Sequence, residues 1–337
     1  MVGDGLHAGA PGDGAGRTGG PAGSLEDGDD PVGIRSSGVL EIVLGAAGGR
    51  VVPQVTHRPP SIRRLVAGRD ATDAAATVRR LHSLCGHAHE IAFRRAIESL
   101  GAGPGVTIGR EVARSVVLDV EAHVAHARRV ALELEPGLGR AVPAVALKAV
   151  QDAAEGVGRA LGLADAAGPF DPRPVAVHEA MAQLHRAFEN LLAGAREAPS
   201  PRRLRILPAS LRGMVVDGWQ RPWRFAAEVQ LSGRGRLDPL MAEPALDDER
   251  LWYGRGEGRA MTSRGVLIYE VDLRHGFVED CVVDTPTARL AAPGGELESA
   301  LADLPWSSEV KPAADLLVRA LDPCVPWTIR LAAEPDA

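Results

Sequence analysis

The stretch "RLHSLCGHAH", Arg80–His89, gathers three histidines and a cysteine in a chain that holds only ten His and three Cys. On a helix, Cys85 and His89 stand one turn apart on one face, and His82, three residues before Cys85, shares that edge while His87 points elsewhere. Imidazole nitrogen and thiolate sulfur are ligands for zinc, nickel and iron. A helix beginning near Ser83 puts Cys85 in the first turn, where the positive end of the helix favours thiolate. The same pattern also fits a small apolar cysteine among capping or solvated histidines. No C-x-x-C or H-x-x-x-H pair supplies a further local ligand, so a zinc site built on His82, Cys85 and His89 needs a fourth from elsewhere.

Other candidates are weaker. Asp119, Glu121, His123 and His126 fall on one predicted helix and fit a solvated polar face, with a His123–His126 metal pair as the alternative. His178 and His185 are read as structural or exposed, and Cys281 as a packed strand residue. "WYGRGEGR" at 252–259 is read as a loop; its G-x-G does not link a strand to a helix, so it is no dinucleotide fingerprint. The five Trp are too sparse for a binding stripe and are read as packing anchors.

The elements that must position these residues follow from patterning. Residues 1–38 are Gly, Ala, Pro and Asp with almost no bulky apolar side chain, which predicts a disordered tail. Residues 39–337 are read as one domain. "VLEIVLG" opens it as a strand; from about 70 to 195 helical periodicity dominates and predicts a bundle. Beyond 200 short segments are punctuated by Gly, Pro and Trp. "SRGVLIYEVDL", "RHG" and "FVEDCVVDTP" predict a hairpin over 262–284, and two short helices follow near 295–303 and 307–321. The fold class is therefore α+β and helix-dominated. Net charge is −6, which opposes nonspecific binding to nucleic acid or an anionic membrane. No apolar run is long enough for a membrane span. Three widely spaced cysteines and no secretory signal predict a reducing, cytoplasmic setting.

In a longer frame, "GRDATDAAATVRRLHSLCGHAHEIAFRRAIE" resembles the first metal-binding motif of nickel–iron hydrogenase large subunits, R-x-C-G-x-C-x-x-x-H followed by A-x-x-R-A-x-E. Arg80, His89, Arg95, Ala96 and Glu98 match, as do the upstream "GRD" at 68–70 and Asp73; Cys85 takes the second cysteine, His82 stands at the first, and Ser83 at the glycine. "DPCVPWTIR" at 322–330 resembles the second motif, D-P-C-x-x-C-x-x-H, keeping Asp322, Pro323 and Cys324, with Trp327 and Arg330 at the lost ligands. Between them, Arg264 and Gly265 match A-R-G-x-L-x-H, with Tyr269 at the histidine, ahead of a hairpin and a P-T motif.

The resemblance implies a large-subunit-like core with a helical bundle and a small hairpin region. It also implies that hydrogenase activity is lost. Two of the family's four metal cysteines are missing, and the upstream proton-relaying acid is absent from "HRPPSIRR". No nickel is expected. This pattern is similar to the HupK-type hydrogenase expression/formation proteins, a shortened and degenerate branch of the family. That implies a maturation scaffold carrying a transient Fe(CN)2CO fragment. Cys85 and Cys324 would be its ligands, with His82 as a substitute donor. His89 would hydrogen-bond to thiolate or cyanide, and Arg264 would donate to cyanide nitrogens. The implied partners are other hydrogenase maturation proteins and the true large subunit. Two alternatives stay open: a metal-free docking protein that mimics the large subunit, and a zinc or nickel protein.

Overall fold

The computed structural model describes residues 38–101, 108–162, 174–232 and 253–332. The predicted tail therefore lies outside the described residues, save Gly38. The chain opens with β1 (Val39–Ala47) and β2 (Arg50–Arg58), then α1 (Ile62–Val66), α2 (Ala71–Leu81), α3 (Gly86–Glu98) and α4 (Ile108–Arg129). A π-helical turn, Val130–Leu134, leads into α5 (Glu135–Gly137), followed by α6 (Ala144–Ala160), α7 (Pro174–Ala193), α8 (Pro201–Leu204) and α9 (Ala209–Ser232). The last part comprises β3 (Tyr253–Thr262), β4 (Gly265–Arg274), β5 (Phe277–Asp284), α10 (Pro286–Leu290), α11 (Glu296–Ala302), α12 (Val310–Leu321) and β6 (Trp327–Leu331). The helix-dominated α+β class holds.

One sheet has the order β2-β1-β6, with β1 antiparallel to β2 and parallel to β6. Alternation along β1 sends Leu40, Ile42 and Leu44 into a core shared with α4, α6, α7, α9 and α12. The other sheet, β3-β4-β5, is antiparallel, and β4 turns Leu267, Tyr269, Val271 and Leu273 onto a second core built with α2 and α3. The predicted hairpin is β4–β5. Its two-residue turn is His275-Gly276, both at positive φ (53° and 80°), as a tight hairpin matching strand twist requires.

Three expectations fail for identifiable reasons. The segment 252–259 is mostly strand β3, not a loop. Its alternate glycines are a packing device: a Cβ on Gly256 or Gly258 would sit inside the van der Waals shell of the α3 backbone at Ala92 and Ala96. The helix after Cys85 starts at Gly86 rather than Ser83, because His82 takes an extended conformation that ends α2 and Ser83–Cys85 turn the chain. The punctuated region after 200 contains the 24-residue α9, which Gly213, Gly218 and Pro222 disguise. Gly218 is needed there, since any side chain would collide with the Ala320 carbonyl of α12.

The solvated-face expectation for α4 also fails. His123 and His126 are 0% and 2% exposed, and both pack on the Phe225 ring. His185 faces His123, while His178 is exposed. Cys281 is buried among sheet residues, as packing predicts.

Candidate functional site

Cys85 occupies the N-cap position of α3 and packs on the second core; Cys324, in the turn between α12 and β6, packs on the first. The site therefore lies where the two cores meet. The two thiols are within hydrogen-bonding reach of each other. Both line a cavity of about 40 Å³, together with His57, His82, His89 and Thr287. That is room for about three waters.

The sulfurs are not equivalent. The Cys324 thiol is drawn below the usual thiol range by the hydrogen bond with Cys85, by the Thr287 hydroxyl, which donates to its sulfur at 3.0 Å, and by the nearby Arg264 charge. Cys85 moves the other way, held well above the usual thiol range by the hydrogen bond to Cys324, by burial, and by the charges of Cys324 and Glu121. The two thiols titrate as a pair, and the environment favours the thiolate form at Cys324 over Cys85. This reverses the expectation that the helix end would ionise Cys85. The hydrogen bond to Cys324 and burial outweigh the helix end, and Glu121 of α4 adds to them: its two carboxylate oxygens accept from His87 N and Ala88 N at 2.8 and 2.9 Å, so the positive end of α3 already faces an acid.

His82 and His89 stack face to face, with ring centroids 3.4 Å apart. Burial lowers the pKa of both, so the stack is neutral. His82 Nδ1 lies 3.0 Å from Val78 O. A carbonyl only accepts, so the proton sits on Nδ1 and the Nε2 lone pair is left for a ligand. His89 Nδ1 is 2.7 Å from the Tyr269 hydroxyl, which is fully buried. His87 points away, into a separate cavity of about 480 Å³ beside α4 and α6 that Glu121 also lines.

Arg264 is not in the cysteine cavity. Its Nε and Nη2 donate to Asp322 O and Oδ1, each at 3.0 Å, and it lines a neighbouring cavity with Asp322 and Thr287. Among the described residues no group of three or more His, Cys, Asp or Glu is placed to hold a metal ion. Of the residues at the family's lost ligand positions, Trp327 is a half-buried β6 residue under the Arg319 guanidinium, and Arg330 is exposed toward Glu41.

Comparison with solved structures decides the architecture. The chain aligns with the Ni-Fe-Se hydrogenase of D. vulgaris Hildenborough in the reduced state at a TM-score of 0.58 and 14% identity, covering 83% of this chain and 94% of that one. The fold is nickel–iron hydrogenase large-subunit-like. The same likeness extends to an NAD+-reducing [NiFe]-hydrogenase (TM-score 0.54, 13% identity, 82% and 93% covered) and to the [NiFeSe]-hydrogenase of Dm. baculatum (TM-score 0.55, 13% identity, 82% and 94% covered). No family model and no curated protein matches the sequence. Among the described residues, no helix of this large-subunit-like fold is long and apolar enough to cross a membrane.

Motif reading gave no role in the site to three residues that organise it. Thr287, within the P-T motif, holds Cys324 through both its backbone and its sulfur. Glu121 caps α3 from another helix, a pairing that no local spacing encodes. Asp322, matched only as a motif letter, is 2% exposed and anchors Arg264.

Proposed function

We propose that this chain is a non-catalytic relative of the hydrogenase large subunit that holds the Fe(CN)2CO fragment during assembly of the nickel–iron cofactor, in the manner of HupK-type proteins. One observation carries the reading: two thiols 239 residues apart in the sequence meet at one cavity. Low-spin iron that brings its own carbonyl and cyanides needs few protein ligands, and thiolates suit it. Cys324 is the thiol more readily ionised, and Cys85 would give up its proton as iron replaces it. His82 Nε2 is the nitrogen donor at hand, and His89, tied to Tyr269, is placed to donate to cargo. The cavity is small, so loading moves its wall, where Pro59, Pro60 and Leu84 lie outside helix and strand. Donor and acceptor of the cargo are other maturation proteins and the true large subunit, in the cytoplasm.

The alternative is a metal-free docking protein. The lack of any three-donor group among the described residues favours it. Infrared spectroscopy separates the two on protein purified anaerobically from a host expressing the maturation machinery. Carbonyl and cyanide bands that vanish in Cys85→Ala and Cys324→Ala support the carrier. A silent window in protein that still supports maturation establishes docking. Zinc or nickel by elemental analysis, without those bands, identifies a His82–Cys85–His89 site instead.

A further inference from the structure

Asp322 is a single buried carboxylate shared by three guanidiniums: Arg264 at 3.0 Å, Arg129 at 3.4 Å and Arg221 at 3.8 Å. Arg129 and Asp322 are 0% and 1% exposed in their side chains, so solvent does little to offset the surplus positive charge. Arg129 Nε and Nη1 make no hydrogen bond to a protein group. Glu133, the other acid close by, is pushed up to about 7, first by burial and then by the Asp322 charge, so it supplies only part of a countercharge.

Asp322, Arg264 and Arg221, though not Arg129, line a cavity of about 270 Å³, whose floor is the buried Arg264, Asp322 and Thr287 and whose sides are the more exposed Arg221 of α9 and Arg289 of α10. Arg221 reaches Asp322 only at 3.8 Å, beyond hydrogen-bonding length. Arg289 pairs with Asp284 and is 43% exposed, and the exposed Glu296 of α11 stands on the same lining. Three arginines thus line one space from α9, α10 and the turn before β4, with the Arg289 guanidinium also donating to Asp284 and to the Val266 carbonyl. A carboxylate has two oxygens and suits one such fork, whereas a phosphate offers acceptors in three directions.

We infer that this cavity binds the phosphate group of a small molecule, gripped by Arg221 and Arg289 at its sides and Arg264 at its floor. The site is separate from the cysteine cavity and touches it only through Thr287. Binding is read on protein without iron, so its failure and that of the carrier reading are distinguishable.

The test is calorimetric titration of the full chain with inorganic phosphate at constant ionic strength, with sodium chloride and acetate as controls. Saturable phosphate binding is expected, at least tenfold tighter than acetate. The double variant Arg221→Gln/Arg289→Gln should weaken it at least tenfold, and Arg221→Lys/Arg289→Lys should weaken it less. Should the double variant unfold, Arg221→Gln alone serves, because its ion pair with Asp322 is long, at 3.8 Å, while Arg264 stays hydrogen-bonded to that carboxylate. No saturable phosphate binding, acetate bound as tightly, or affinity indifferent to these substitutions overturns the inference.

Discussion

Thr287 and Cys324 are joined in both directions: Cys324 N donates to Thr287 Oγ1 at 2.9 Å, and the same hydroxyl donates to Cys324 Sγ at 3.0 Å. One hydroxyl therefore fixes both the backbone and the sulfur of a candidate ligand. Thr287→Val keeps the shape and deletes both links, leaving a part-buried amide unpaired. A loss of about 1–3 kcal/mol in urea unfolding is expected, with Thr287→Ser close to the wild type. A Val variant of undiminished stability would show that the hydroxyl holds nothing.

Asp322 is at φ 60°, a left-handed conformation that asparagine tolerates. Asp322→Asn therefore removes charge with little change of backbone strain. Three guanidiniums lose their shared counterion, and the expected cost is about 3–5 kcal/mol. Asp322→Ala should be worse, since it adds strain. A drop in stability well under 1 kcal/mol for the Asn variant would mean that the guanidiniums are already neutralised by another group.

Two glycine substitutions should act in opposite senses. Gly258→Ala drives a methyl into the α3 backbone and should cost more than about 3 kcal/mol or abolish folding. Gly158→Ala lies within helix α6 with nothing near its added methyl, and should stabilise by about 0.5–1 kcal/mol. Thermal unfolding of the pair checks both; equal effects would contradict the close β3–α3 approach.

Burial lowers the pKa of His123 from 6.5 to about 4. Between those values the unfolded chain takes up a proton that the folded chain refuses, so this histidine's contribution is complete above pH 6.5 and falls as pH drops toward 4. The limit of that loss is about 3 kcal/mol. Glu121 and Glu133, raised to about 7, act in the opposite sense, so the histidine is best isolated by difference. The stability gap between wild type and His123→Phe should shift toward the variant on going from pH 7 to pH 4.5. A gap independent of pH would place His123 in contact with water.

What could be seen in the sequence divides by range. The β4–β5 hairpin, α6, α7, α11 and α12 carry their own periodicity and end signals, and their positions follow from local pattern. The strand over 253–262 and the helix over 209–232 do not, because Gly256, Gly258 and Gly218 were chosen by neighbours distant in sequence. The sulfur-bearing residues could be named from motif spacing. Their charge state could not, since it depends on Glu121, Thr287 and Arg264 arriving from three other segments. His123 and His126 misled for the same reason: only the placement of Phe188 and Phe225 turns their face into core.

β6 pairs with β1 over only five residues and lies at the edge of its sheet. Local opening costs least where few buried contacts and pairing bonds hold a segment, as in a short edge strand. The turn bearing Cys324 has three anchors: the Asp322 ion pairs on one side, Thr287 at Cys324 itself, and β6 on the other, tied through Leu40 N to Pro326 O at 3.0 Å. Fraying of β6 releases one of them while both cores and Cys85 stay in place. Loss of the last strand alone therefore leaves Cys324 tied by Thr287 and by the turn that Asp322 holds, so the meeting of the two sulfurs does not hang on β6.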